Sequence, residues 1–479
     1  MTPEVPMDTI VSPITAPGHA PVGAVRLSGP NVEAILLRLV QNAPQAIAEP
    51  RTVVYSAIYD ELPAIGHDKA SERRVLDQGL VIFFRAPQSF TGEDCAEFHL
   101  HGSPFIIERL IANCVHAGAR LAEPGEFSKR AFINGKIDLS QAEAVADLIA
   151  AETELQARSA REQLAGRLSQ AIADVGEPLR DLLAEIEAAI DFPDEGIEPQ
   201  AEAEWTKVVL AVRNVLGRYL ESFRSGRLYR EGASVVFVGL PNAGKSSLLN
   251  SLLGEERAIV TPRPGTTRDT IEERVSIDGL LVRFTDTAGL YETEDGTADE
   301  VERLGIERSW QCVERADLLL YVFDLTKDFS AEESLVHRVK ESNHPLLFLG
   351  NKSDLLSEVK AGELQKALEQ KTGGQVLIVS ATTGLGISQL KRAVSEQLLG
   401  GSRHTGGPRI AITNQRHFQA LSRAFEQLGD VLGSIERGLP PEVVTIDIRG
   451  ALDSLGDIIG VTHTEDILSR IFAKFCIGK

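Results

Sequence analysis

The sequence predicts an α/β and α protein in three parts: a small N-terminal α/β domain, a helical domain, and a mixed-sheet domain with helices on both faces, inserted between two halves of the helical part. Three observations predict it. Strand-like runs separated by turn chemistry fill residues 1–132. Ala, Leu and Ile then recur at helical spacing on both sides of a central stretch, and that stretch holds a glycine-rich loop between an apolar run and a helix-like segment. Boundaries are expected at 1–132, 133–231, 232–396 and 397–479, and 479 residues suffice for about three separate cores.

In the first part the strand-like runs are Val22–Leu27, Thr52–Ile58, Gly79–Phe84 and Ala96–Leu100, broken by Pro87-Gln88-Ser89 and Thr91-Gly92-Glu93-Asp94. Asn31–Val40 and Pro104–Ala117 read as helices. His99 and His101 alternate on one strand face with no cysteine or carboxylate at ligand spacing, which is the pattern of ordinary strand residues. Ser140-Gln141-Ala142-Glu143 has the capping-box pattern, and helical periodicity runs from Ala142 to about Ile190 with breaks expected at Gly166 and Pro178. A stop follows at Asp191–Gly196. Another helix is expected over Glu202–Leu228. After the linker-like Gly400-Gly401-Ser402 and Gly406-Gly407-Pro408, helices are expected over Asn414–Arg437 and Val444–Phe475.

Four widely spaced cysteines, a net charge of −20 and no apolar stretch near membrane-span length describe a soluble, cytoplasmic chain without a disulfide framework. That charge also opposes indiscriminate nucleic-acid binding, because a phosphate backbone is drawn to clustered Lys and Arg. A tRNA or other RNA partner needs a local basic patch or a second protein.

The central loop is Gly239-Leu240-Pro241-Asn242-Ala243-Gly244-Lys245-Ser246-Ser247, between Ser234–Val238 and the helix-like Ser247–Leu253. Its glycines let the backbone curl so that N–H groups and the helix N-terminus point at anionic oxygens. Lys245 supplies a cation for the outer phosphates, and the Ser246 hydroxyl suits magnesium. Downstream, Asp286-Thr287-Ala288-Gly289 ends the strand-like Leu281–Phe284, placing a carboxylate behind the metal and a glycine beside the terminal phosphate. Asn351-Lys352-Ser353-Asp354 follows Leu346–Leu349. Asp354 can accept two hydrogen bonds from guanine, a pairing adenine lacks, so such a site rejects the wrong base by roughly 10⁴-fold. Ser380-Ala381-Thr382 after Val376–Val379 completes the base pocket. These motifs resemble the translation-factor-related GTPases, with a Ras-like P-loop G domain.

One position departs from that pattern. In Ras-like GTPases a glutamine after the Asp-x-x-Gly motif orients the attacking water, and here Leu290 stands there. The acidic segment Glu292–Glu302 holds candidates for the role. Arg263, Arg268 and Arg303 lie near in sequence without forming an evident arginine finger. A metal cation can neutralise the same charge, and Asn242 with Thr261-Pro262-Arg263-Pro264-Gly265-Thr266-Thr267 offers oxygen ligands, Thr267 also for magnesium.

Motifs outside the G domain carry a resemblance to the MnmE (TrmE) family of tRNA-modification GTPases over essentially the whole length. They are Asp8-Thr9-Ile10-Val11, Val25-Arg26-Leu27-Ser28-Gly29, Ser89–Asp94, Pro124–Ser128 running on to Asn134–Leu139, Ile190–Glu195 and Phe475-Cys476-Ile477-Gly478-Lys479. The resemblance implies work with an FAD-dependent partner, MnmG, which alone carries the FAD, in a heterotetramer or larger complex. The product is a carboxymethylaminomethyl or aminomethyl group at carbon 5 of the wobble uridine of certain tRNAs. The N-terminal domain would hold a tetrahydrofolate derivative, in 5-formyl or methylene form, and make the homodimer.

Arg26, Glu97, Lys136 and Lys479 match the family's folate-binding residues, the cations suiting an anionic tail and Glu97 the N–H edge of a pterin. Potassium is implied on Asn242, Thr261, Thr266 and the backbone at Arg263, magnesium on Ser246 and Thr267, and catalysis on Lys245 and Glu302, with Glu300 the fallback for water activation. Potassium would take the place of an arginine finger when two G domains meet. Departures are a long Glu292–Asp299 segment, the turn Pro17–Gly23, and His101-Gly102-Ser103 in place of a doubled glycine, while Pro262 and Pro264 stiffen the potassium loop. Cys476, in the tail, is a secondary candidate, for chemistry or for packing. The alternatives are a ribosome-assembly GTPase, which calls for a basic RNA-binding module, and a regulatory switch, which calls for no folate.

Overall fold

A computed structural model describes residues 8–62, 74–192, 202–254, 272–286, 307, 309–400, 412–461, 468, 471–473, 475 and 478. The chain divides into two compact units. The first is Met1–Ala146 with Gln163–Ile172 and Leu455–Lys479, and the second is Asp147–Glu162 with Ala173–Ser454.

In the first unit β1 (Ile10–Pro13), β2 (Ala20–Ser28), β3 (Val53–Asp60), β4 (Arg74–Phe84), β5 (Cys95–Gly102) and β6 (Arg120–Leu121) form one sheet in the order β3-β4-β5-β2-β1-β6. All neighbours are antiparallel except β1 and β6. Alternation along the strands sends Val25, Leu27, Val81, Phe83, Ala96 and Phe98 into a core shared with α1 (Val32–Leu39) and α3 (Pro104–His116). Strand β4 starts five residues before its expected first residue because the polar stretch Asp77–Gln78 is paired: Asp77 accepts from the His101 backbone at 3.0 Å and its ring at 2.9 Å. The short strands β1 and β6 and the helices α2 (Ala43–Ala48) and α4 (Glu126–Ile133) have no counterpart in the sequence reading.

Helix α4 carries Arg130, which is fully buried and donates to Asp8, Glu93 and Glu126 at 2.7–3.2 Å. Arg120 adds a second guanidinium on Glu126 at 2.6 Å. The C-terminal segment closes this unit. A Cβ on Gly125 would lie 2.6 Å from the Phe472 carbonyl, and one on Gly478 would lie 2.2 Å from the Pro13 carbonyl.

Helix α5 (Leu139–Ala150) is capped by Asp138, not Ser140: Asp138 Oδ1 accepts from Gln141 N and Gln141 Oε1 accepts from Asp138 N, both at 2.9 Å. The capping box is therefore Asp138-Leu139-Ser140-Gln141, two residues before its expected place, and Ser140 instead donates to Asp138 at 2.8 Å. After α6 (Glu154–Leu164) the chain breaks at Gly166, as expected, but α7 (Arg167–Asp191) passes through Pro178 unbroken. A proline removes one helical hydrogen bond, and the burial of Leu179, Leu182 and Ile186 just beyond holds the helix against that loss. The expected helix over 202–228 is two, α8 (Glu202–Glu221) and α9 (Phe223–Glu231), and the last expected helix ends at Ile459, where Gly460 takes φ +92° against Phe132 and Leu139.

In the second unit β7 (Ala233–Val238), β8 (Glu272–Ile277), β9 (Leu280–Asp286), β10 (Leu318–Asp324), β11 (Leu346–Asn351) and β12 (Val376–Ile378) form a sheet in the order β12-β11-β10-β7-β9-β8. It is parallel apart from the β8–β9 hairpin, and helices cover both faces. Strand β10 is buried throughout and apolar up to its last residue, Asp324, and the sequence reading assigns no element to it. The hairpin tip meets α6: a Cβ on Gly279 would lie 3.1 Å from Leu155 Cγ, and Arg274 pairs with Glu152 at 2.5 Å.

Burial opposes ionisation of Asp8 and Glu126, but hydrogen bonds from Arg120 and Arg130 outweigh it and hold both carboxyls below their ordinary 3.8 and 4.5. Their contribution is present above those ordinary values and is lost as pH falls through the depressed ones. Arg130→Met is expected to cost about 3–5 kcal/mol at neutral pH. Chemical denaturation checks this, and an unchanged midpoint would show that the cluster adds no net stability.

Candidate functional site

Strand β7 lies mid-sheet with β10 on one side and β9 on the other; the connection that leaves β7 runs to the β9 side and the one that leaves β9 crosses over to β10, and the loop at the C-terminal end of β7 occupies the crevice this reversal creates. That loop is Gly239–Gly244, leading into α10 (Lys245–Leu253). Gly239 has φ +141° and lies so close to β10 that a Cβ would sit 2.4 Å from the Val322 carbonyl. Asn242 and Gly244 also have positive φ, at 64° and 96°. Lys245 is buried at the helix start, and its Nζ donates to the Gly239 and Leu240 carbonyls at 2.9 Å each. The lysine thus folds over its own loop with its charge at the place an anion would occupy.

The residues expected to read the base gather around Asn351. Its Nδ2 donates to the Ala243 carbonyl at 2.8 Å, and its Oδ1 accepts from Ala381 N at 3.2 Å. Ser380 Oγ donates to Asp354 Oδ1 at 2.6 Å, fixing the carboxylate that would face a guanine edge. Lys352, at φ +64°, bonds Asp324 Oδ2 at 2.7 Å. Burial works against ionisation of Asp324, and hydrogen bonds from Lys352 and Thr326 outweigh it, keeping its carboxyl below the usual range. Thr382 lies exposed on the same loop.

A second cluster lies in the N-terminal sheet. Arg26 on β2 and Glu97 on β5 are direct cross-strand partners, bonded through Nε at 2.9 Å and Nη2 at 2.7 Å. Their roles are therefore not independent: Glu97 Oε1 serves Arg26, and Oε2 lies 3.3 Å from His99 Nε2. Burial opposes ionisation of Glu97, and Arg26 outweighs it. The Arg26 guanidinium lies 5.0 Å from the Phe90 ring centroid and 5.7 Å from that of Phe127, and its buried Nη1 has no hydrogen-bond partner among the described residues. An unsatisfied buried N–H beside two aromatic rings suits a flat ligand bearing an acceptor or a carboxylate. Lys136 Nζ donates to the Pro87 carbonyl at 2.9 Å.

Comparisons with known proteins bear on both units. A family model described as "GTP-binding protein TrmE N-terminus" matches residues 9–136, and one described as "MnmE helical domain" matches residues 139–476. The tRNA modification GTPase MnmE of Aquifex aeolicus (strain VF5) is 41% identical over 474 residues, spanning 98% of this chain and 100% of that one. The chain belongs to the MnmE family of tRNA modification GTPases. Proteins of the same name from Roseiflexus sp. (strain RS-1) and Moorella thermoacetica (strain ATCC 39073 / JCM 9320) are 40% and 41% identical, each spanning 98% of this chain and 99% of theirs. A likeness of this extent covers the Arg26–Glu97 cluster and the glycine-rich loop before α10 together. Among the described residues no helix is long and apolar enough to cross a membrane.

Several expected site residues lie outside the described residues: Thr261–Thr267, Thr287–Gly289, Glu300, Glu302, Cys476 and Lys479. Asp286 closes β9, paired in register with Phe237. Sequence reading missed Glu332, which ends the 3-10 turn Phe329–Glu332 and is 2% exposed. Its only sequence signal is an acidic pair, Glu332-Glu333, at the start of an amphipathic helix, where acidic residues are common.

Asp354→Asn tests the base pocket. Guanine offers N–H groups to a carboxylate, whereas xanthine carries a carbonyl where guanine has its amino group, and an amide can donate to it. Binding of GTP is expected to weaken about 100-fold or more, with a shift of preference toward xanthosine triphosphate. Fluorescence titration with both nucleotides reads the outcome, and a retained GTP preference would remove Asp354 from base recognition.

Proposed function

We propose that this GTPase, acting with an FAD-dependent partner of the MnmG kind, installs a carboxymethylaminomethyl or aminomethyl group at carbon 5 of the wobble uridine of certain tRNAs. The observation that carries the reading is one chain in which a formed phosphate loop and guanine pocket coexist with the Arg26–Glu97 pocket and its unsatisfied Nη1. The N-terminal domain holds a tetrahydrofolate derivative. Arg26 supplies the donor for it, Phe90 and Phe127 the flat walls, and Lys136 a nearby cation. Support for the tail's part comes from Gly478, which lies against Pro13, next to the Ser12 that pairs with Arg26 across β1 and β2. The folate brings the one-carbon unit, and the residues here bind and orient it.

In the G domain, Lys245 holds the outer phosphates and Ser246 with Thr267 holds magnesium. Asn242, Thr261, Thr266 and the Arg263 backbone offer oxygens to potassium, which supplies the positive charge that an arginine finger gives elsewhere. Glu302 orients the attacking water, a role Leu290 cannot fill. The protein works as a homodimer in the cytoplasm, joined to its partner in a heterotetramer or larger complex.

Glu302→Ala is expected to lower the rate of GTP hydrolysis in potassium by about 10²-fold or more while leaving nucleotide affinity near normal. Equal loss of binding would refute the role. The whole reading is tested in cells whose only copy carries Lys245→Ala, by mass spectrometry of tRNA wobble uridines beside a ribosome-subunit profile. Loss of the carbon-5 group with normal subunits is expected. Intact modification with immature subunits would put a ribosome-assembly GTPase in its place.

A further inference from the structure

Asp324 ends β10 and is not among the residues that the sequence assigns to the base pocket, yet it lies beside the base motif. In the parallel pairing of β10 with β11 it is the direct partner of Asn351, and Leu325 N donates to the Asn351 carbonyl at 3.1 Å. Its carboxylate divides between two partners. Oδ1 accepts from Thr326 Oγ1 at 2.6 Å and from Thr326 N at 3.0 Å, which fixes the side chain within its own turn. Oδ2 accepts from Lys352 Nζ at 2.7 Å. The acid is buried, whereas 30% of the Lys352 side chain is open to solvent.

Lys352 stands between Asn351, which ties the glycine-rich loop to the loop after β12, and Ser353-Asp354, whose carboxylate accepts from Ser380. Its backbone is left-handed at φ +64°, a conformation that a residue with a Cβ keeps only where its surroundings impose it, and such residues gather at ligand clamps. A lysine at an open loop end retains most of its rotamers and loses them when a ligand covers it. Here the ammonium is already fastened by a charge-assisted bond to a buried acid that is itself clamped. The backbone fixes one end of the four-carbon stem and Asp324 the other.

We propose that Asp324 is a positioning residue for guanine: it holds the Lys352 ammonium so that the lysine's stem forms a preset apolar wall for one face of the ring whose edge Asp354 reads. No bond or proton changes hands. The carboxylate lowers the ordering cost of binding and gives the cation a counter-charge once the base has displaced its water. Thr326 serves in turn by keeping Asp324 in place. The inference rests on the reading of Lys352 and Asp354 as base-holding groups.

The test is the Kd of full-length protein for GDP and for a non-hydrolysable GTP analogue, each labelled on the ribose and bound with magnesium, in wild type, Asp324→Asn, Lys352→Met and the double variant. Asparagine keeps the shape and can still accept from Thr326, but it leaves the ammonium without its counter-charge. Asp324→Asn is expected to weaken both nucleotides by the same factor, about tenfold, because they share one base and the effect passes through a contacting pair. In the Lys352→Met background the same change is expected to bring no further loss. A further loss of equal size there would show that Asp324 supports the loop and not the lysine, and a loss that differs between GDP and the triphosphate would put its effect on the phosphates; either result overturns the proposal. Wild-type affinity in Asp324→Asn, with Lys352→Met weakened, overturns it as well and leaves the base pocket standing. If Asp324→Asn does not fold, Thr326→Val removes the hydroxyl clamp without touching the lysine. Binding weaker by about threefold in wild type and unchanged in Lys352→Met is then expected, and unchanged binding in both refutes the proposal. If Lys352→Met itself binds GDP as well as wild type, the reading of Lys352 as a base-holding group fails, and the role of Asp324 falls with it.

Discussion

The side-chain amide of Asn351 joins three loops that are distant in sequence. It donates to Ala243 in the phosphate loop and accepts from Ala381 in the loop after β12, and it is itself the last residue of β11. A buried amide satisfied on both sides stiffens whatever it connects. Gly244 makes room for it, since a Cβ there would sit 2.2 Å from Asn351 Nδ2. The loops belong to the C-terminal ends of β7, β11 and β12, so the order and spacing of parallel strands set the distances between them. Lys352, the next residue, extends the tie to Asp324 at the end of β10.

Two arginines in the N-terminal domain, Arg130 fully buried and Arg26 partly so, show how the same side chain can serve a fold or a ligand. Arg130 spends its donors on Asp8, Glu93 and Glu126 and binds helix α4 to the segments that lead into β1 and β5. Arg26 is paired on one side only, and its other nitrogen is left beside two rings. Their sequence contexts give no hint of this difference, because it depends on which acidic residues the topology brings near.

The glycine-rich loop before α10 and the apolar strands β7 and β11 were legible because their signals are local: glycines where φ is positive, a lysine at a helix start, and runs almost wholly buried. The pairing of Arg26 with Glu97 was harder to read, since each appears alone as a charge in a strand and only the register between β2 and β5 sets them side by side. Pro178 misled because a proline's local preference yields to a long buried helical stripe, and Ser140 because Asp138 offered an equally good cap two residues earlier. Glu332 could not be found at all without the fold. Its burial is set by the fold, and nothing in an acidic pair at a helix start separates an exposed cap from a buried acid.

The C-terminal residues pack into the first unit through Gly125, Pro13 and Leu139, although the whole of 173–454 lies between them in the chain. During synthesis the N-terminal sheet leaves the ribosome first but waits for its closing segment while the second unit is made, an interval on the order of tens of seconds at ordinary elongation rates. The earliest domain to emerge is thus among the last to be completed, with the surface around Gly125 bare in the meantime. A frameshift after residue 454 would strike a unit whose sheet is encoded before residue 147.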